Sequence, residues 1–140
     1  MRKLALMLVL ALGFNGAALA DEDTPATLEG TRVVSAEELR AILNQKGVKV
    51  YDLRKKASYV EGHIPGAITA ARHYNEKEKT LDVSVLDRDR ATTVVFYSHG
   101  VSGWKSYWAA KSAVSAGYSN VLWLRGGYAE WEDKNLPVAR

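Results

Sequence analysis

Residues 94–110 read VVFYSHGVSGWKSYWAA: a run of β-formers, a polar loop with Gly100 and Gly103, then aromatic and small residues. With Thr92 and Thr93 in front, Thr92 to Tyr97 gives six consecutive β-formers, which is what a strand covered on both faces requires. Beyond the loop, Trp104, Tyr107, Trp108, Ala110 and Val114 fall at helical spacing as far as about Ala116, where Gly117 ends the helix. A strand that runs through a short loop directly into a helix is suited to holding an anion. The amides of residues about 99 to 104 start without helical partners, and the helix dipole adds positive potential there.

Outward from this unit the punctuation repeats. Ser35 caps a helix, Glu38 three residues later completes a capping box, Leu39, Ile42 and Leu43 make its apolar stripe, and Gly47 ends it. Val48 to Leu53 is short and β-branched, hence a strand with Asp52 and Arg54 at its C-terminal end. Residues 57–70, ASYVEGHIPGAITA, read as a loop with two glycines and Pro65 that leads into a short strand around Ile68 to Ala70. Residues 72–90 are charged around an apolar island of Leu81, Val83, Val85 and Leu86, and predict an exposed connection with a short helix or turn. NVLWLRGG (120–127) supplies another strand, and YAEWEDKNL (128–136) a final helix stopped before Pro137. Strands alternating with helices predict an α/β domain with a mainly parallel central sheet and helices on both faces.

The chain of 140 residues suits one domain, placed at 31–140 after a flexible polar segment over 21–30. Residues 1–20 have the make-up of a secretory signal peptide: Arg2 and Lys3, an apolar run from Leu4 to Phe14, and the small-residue site Ala18, Leu19 and Ala20. That run falls short of the roughly 20 apolar residues of a membrane span, so no stable anchor is expected after cleavage. The mature chain would then be periplasmic or secreted. Removing Arg2 and Lys3 from 19 basic residues leaves 17 against 16 acidic ones, a net charge of +1, which argues against nucleic acid as a partner. The sequence contains no cysteine, so an exported domain of this kind must rely on its apolar core rather than on disulfides.

In a parallel sheet ligands gather at the C-terminal strand ends, and Asp52, Arg54 and the Ser98 loop all fall there. Asp52 and Arg54 either orient that loop or form a local salt bridge at a solvated strand end. Lys105 either adds charge to the loop or is a solvated first-turn lysine. Trp104 and Trp108, one turn apart, suit an apolar wall of the site or a partner surface, whereas Trp123 and Trp131 suit core packing. His99 follows Ser98 directly, and neighbouring side chains at a strand end point apart, which disfavours a proton-sharing pair. GVSG resembles a nucleophile elbow, but Trp104 stands where that motif needs glycine, and His63, His73 and His99 all precede Ser102. His63 and His73 have no third ligand at a metal-binding spacing, so neither metal nor cofactor is expected.

VYDLR (50–54), YVEGHIPGAI (59–68), the strand VVFY with its loop, and NVLWLRGGYAEW (120–131) resemble the rhodanese family in order and spacing, over about residues 33–138. The GWKSYWAA stretch is similar to the subset whose loop reads C-x-G-x-x-C-W-[KR]-S. The resemblance implies a rhodanese-like fold and a sulfurtransferase, in which a loop cysteine takes a sulfane sulfur from a donor such as thiosulfate and passes it to a thiophilic acceptor. The same amides that attract an anion would lower a thiol's pKa from about 8.5. Carried over by position, the nucleophile falls on Ser98 and the second cysteine on Gly103. The anion- or substrate-binding loop falls on His99, Gly100, Val101, Ser102, Gly103, Trp104 and Lys105, with Asp52, Arg54, His63 and Arg125 in supporting places; the family role of His63 is to brace the loop beside the site.

Oxygen cannot store sulfur as a persulfide, and a serine hydroxyl is a poor nucleophile without a base. Three functions follow as expectations: a non-catalytic module binding a small oxyanion, a sulfur-containing ligand or a periplasmic protein partner; a sulfurtransferase whose cysteine is replaced in this sequence; and, last, a serine-based hydrolase or phosphatase.

Overall fold

In the computed structural model, which describes residues 22–140, the chain runs β1 (Thr31–Val33), α1 (Ala36–Ile42), β2 (Val48–Asp52), α2 (Lys56–Glu61), β3 (Ile68–Thr69), β4 (Tyr74–Asn75), β5 (Thr80–Leu81), β6 (Thr93–Tyr97), α3 (Trp104–Ser115), β7 (Val121–Leu124) and α4 (Gly127–Asp133). The signal peptide expected over 1–20, and Asp21 after it, lie outside the described residues. Five strands form a parallel sheet in the order β1-β7-β6-β2-β3, while β4 and β5 pair as a separate antiparallel hairpin.

β6 sits at the centre because its side chains are apolar on both faces. Val94 and Phe96 enter a core with Ala109, Ala110 and Ala113 of α3. Val95 and Tyr97 enter the opposite core with Leu39 of α1 and Trp131 of α4. The alternation along one strand thus supplies two cores, as a period of two residues demands. The fold is the expected α/β one, a parallel sheet with helices on both faces.

Ser35 caps α1 as expected: its hydroxyl accepts from the Glu38 amide at 3.1 Å and Glu38 returns the bond to the Ser35 amide at 3.2 Å. The Ala36 amide also donates to the Glu130 carboxylate, which ties α1 to α4. Gly47 has φ +81° in the turn before β2, a left-handed conformation that glycine adopts without strain.

Three expectations change. Residues 57–70 contain a helix, α2, which neither caps itself with a side chain nor buries a residue fully. The 72–90 connection has the expected short helix, a 3-10 turn at Val83–Val85, but is not simply exposed: it also holds the β4–β5 hairpin, with Leu81 buried against α3 and its amide donating to the Ser112 hydroxyl at 3.1 Å. The segment 21–30, expected to be loose, is tied down by residue 24: Thr24 is buried and its amide and hydroxyl both donate to the Val101 carbonyl, at 2.8 and 2.6 Å.

Candidate functional site

The loop between β6 and α3 is built by giving its carbonyl groups to the rest of the protein. Ser98 O accepts from the Tyr128 amide at 2.9 Å and His99 O from the Ala129 amide at 2.8 Å, both at the start of α4. Gly127 makes that approach possible: it has φ +63°, and a Cβ there would lie 2.6 Å from Gly100 N and from Ser98 O. At the far end of the loop, Gly103 N donates to Gly100 O at 2.8 Å. The Ser106 hydroxyl donates to Gly103 O at 2.8 Å and itself accepts from the buried Trp123 indole at 3.0 Å. The amides of His99, Gly100, Val101 and Ser102 have no acceptor among the described residues, which leaves them able to donate to a bound group.

The loop borders a cavity of about 460 Å³, closed on the other side by Leu53, Arg54 and Lys55. Its lining includes Arg54, Lys55 and Lys105 and no carboxylate. Arg54 is held by Asp52 beneath it, with Nη2 to Oδ2 at 2.7 Å and Nε to both carboxylate oxygens at 3.1 and 3.2 Å. Arg54 Nη2 also donates to Gly62 O at 2.7 Å, and its guanidinium stacks 4.0 Å over the Tyr128 ring. The Tyr97 hydroxyl donates to Asp52 at 2.6 Å and accepts from the Ile64 amide at 3.2 Å. Burial and the adjacent Asp52 charge push the Tyr97 hydroxyl far above its ordinary range, so it stays protonated. Burial disfavours the Arg54 charge, but the Asp52 carboxylate outweighs it and holds the guanidinium above its ordinary value.

Ser98 lies at the base of this cavity, 4% exposed. His99, beyond the end of β6, is exposed and borders the same cavity. Desolvation first, and then the Arg54 charge, hold the His99 imidazole below the usual histidine range and therefore neutral at pH 7. At Gly103 a Cβ would stand 2.7 Å from Ser98 Cβ and 2.8 Å from Gly100 O. The loop therefore closes around Ser98 in a form that excludes a side chain at the second cysteine position.

The structure gathers Ser98, His99, Gly100, Ser102, Gly103, Trp104, Lys105 and Arg54 around one cavity. It places the remaining expected residues elsewhere. Val101 is exposed and contributes its carbonyl to Thr24. Asp52 is fully buried, so the Asp52–Arg54 pair is an internal brace rather than a solvated strand end. His63 is not in the lining: it stacks on Tyr59 at 3.8 Å, its Nδ1 lies 2.9 Å from Tyr59 O, and its backbone pairs with Ala139. Arg125 instead grips the N-terminal segment, with Nη2 to Thr24 O at 2.7 Å and Nε to the Thr24 hydroxyl at 3.2 Å. Lys105 is paired with Glu76 of the hairpin at 2.9 Å rather than being solvated.

Sequence reasoning missed Lys55, although it directly follows Arg54 at the strand end, and it missed Thr24, whose tie to Val101 spans 77 residues and has no local signal. Thr24→Val removes both hydroxyl bonds and should cost about 1–2 kcal/mol in urea unfolding. A loss under a few tenths would mean that the segment does not brace the loop.

A profile of the rhodanese-like domain matches residues 35–134. The thiosulfate sulfurtransferase GlpE of Shewanella oneidensis is 31% identical over 102 residues, 73% of this chain and 93% of that protein. Among solved structures, a thiosulfate sulfurtransferase from Pseudomonas aeruginosa superposes with a TM-score of 0.61 at 26% identity, over 79% of this chain and 20% of that one. A rhodanese-related protein from Thermoplasma volcanium gives 0.60 at 22% identity over 77% and 97% of the two chains, a likeness of fold alone. With its parallel sheet, its loop between β6 and α3 and these relatives, the chain belongs to the rhodanese-like domain family.

Proposed function

We propose that this chain is an exported, non-catalytic rhodanese-like module that uses the loop from Ser98 to Trp104 to hold an oxyanion or the acidic or thiol group of a periplasmic partner. One observation carries the reading: the loop cavity keeps its cationic lining and its unpartnered amides while a serine stands at the position of the sulfur-carrying cysteine. A hydroxyl cannot form a persulfide, so sulfur transfer through this loop lacks its carrier. A serine hydrolase needs a base hydrogen-bonded to its nucleophile, and among the described residues no side chain is hydrogen-bonded to the Ser98 hydroxyl, although His99 borders the same cavity.

Sulfate, phosphate or thiosulfate at millimolar concentration should raise the melting temperature, because a ligand bound only by the folded state stabilises it by about 2.7 kcal/mol at a hundred times its Kd. No shift with any of the three would remove the anion-binding reading. Turnover of a chromogenic phosphate or ester, lost in Ser98→Ala, would replace binding with hydrolysis.

A further inference from the structure

The loop cavity does not end at Trp104. A groove of about 740 Å³ continues from it toward the hairpin, and Trp104 and Lys105 line both. Its wall is aromatic and held in place. The Trp104 and Trp108 rings stack at 6.1 Å, Tyr107 packs edge-on against both at 5.1 and 4.9 Å, and the Trp104 indole donates to Glu22 O at 2.8 Å. Both tryptophans remain only half-buried, and Tyr74 faces them across the groove.

The two spaces differ in charge. The loop cavity is bordered by cations without a carboxylate, whereas in the groove Lys79 and Lys105 are matched by Glu22 and Glu76. An inorganic anion would use the first space and leave the second unfilled. A molecule with a charged head and a flat uncharged body uses both, and the groove's size lies within the range of about 300–1,000 Å³ typical of small-molecule sites.

We propose that the ligand is an organic oxyanion, its sulfonate- or phosphate-like head in the Ser98 loop and its flat apolar body against Trp104 and Trp108. The assignment rests on the anion-binding reading above and adds the ligand's chemical class. Lys105 stands at the junction, restrained by Glu76, so the hairpin tunes how much positive charge the head meets.

Calorimetric titration with methanesulfonate, 2-naphthalenesulfonate and 2-naphthol separates head from body. The naphthalenesulfonate should bind roughly tenfold or more tighter than methanesulfonate, as an aromatic body stacked on tryptophan provides, and also tighter than 2-naphthol. Trp108→Leu should abolish that advantage while methanesulfonate binding is retained, which also reports an intact fold. Glu76→Gln, on the exposed hairpin, should tighten both sulfonates. Equal affinity of the two sulfonates, or an advantage that survives Trp108→Leu, overturns the extended site and leaves the loop as an inorganic anion site. Naphthol binding as tightly as naphthalenesulfonate overturns it in favour of a plain apolar patch. Absence of binding by both sulfonates together with no shift from the inorganic anions defeats the anion-binding reading itself.

Discussion

Ser98→Cys should convert the chain into a working thiosulfate-to-cyanide sulfurtransferase, with turnover roughly a hundredfold or more above the unsubstituted protein, because the change supplies the one atom able to carry the sulfur. The thiolate would attack the sulfane sulfur of thiosulfate, the sulfur–sulfur bond would break with sulfite leaving, and cyanide would then take the sulfur from the persulfide as thiocyanate and restore the thiolate. Ser98 sits at the base of a cavity bordered by Arg54, Lys55 and Lys105, and α3 begins at Trp104. Positive charge and a helix N-terminus both favour the thiolate, and each unit by which they lower its pKa corresponds to about 1.4 kcal/mol. Cyanide-dependent thiocyanate formation, measured side by side on the two proteins, decides the matter. Activity only with cysteine means an intact loop without its carrier. Silence in both, while sulfate still stabilises the fold, means that the loop has diverged for binding. Activity in the unsubstituted protein would overturn the non-catalytic reading.

The central unit was legible because its signals are local. The six β-formers of β6, the glycines of the loop and the helical spacing of α3 each occupy a few adjacent residues, and the Ser35–Glu38 box is complete within four. What was missed had no such signature. β1 is a three-residue edge strand with half-buried and exposed side chains, set by pairing with β7 rather than by its own pattern. α2 begins at Lys56 and its N-cap residue, Lys55, supplies no side-chain cap, so only its tertiary setting favours a helix there. The site divides in the same way. Ser98, Gly100 and Gly103 are recognisable from a motif, while the role of Gly127 appears only when its missing Cβ is set against the backbone of Ser98 and Gly100. Family pattern places His63 and Arg125 beside the site, whereas their hydrogen bonds assign them to the Tyr59 turn and to Thr24. Motif position located residues in the sequence; partners in space decided what they do.

Asp52→Ala should cost about 3–5 kcal/mol, the loss expected when one member of a buried ion pair is removed and the other is left unpaired. Asp52 and Arg54 are 0% and 3% exposed, and the carboxylate carries the guanidinium, the Arg54 amide and the Tyr97 hydroxyl together. Arg54→Met removes the other partner and leaves Asp52 as an uncompensated buried charge, with the Gly62 carbonyl unpaired as well. Because each single variant strands the other charge and the double variant strands neither, Asp52→Ala/Arg54→Met should lose less than the sum of the two by about 1–3 kcal/mol. Urea unfolding of the four proteins measures that difference. Strict additivity would show that the two groups act independently and that the brace is not electrostatic. A coupled result has a functional corollary: Arg54 borders the loop cavity, yet its charge is already matched by Asp52 from below. In the proposed anion site the positive potential must then come mainly from the loop amides and Lys55, with Lys105 partly matched by Glu76, while the Asp52–Arg54 pair fixes the floor on which they stand.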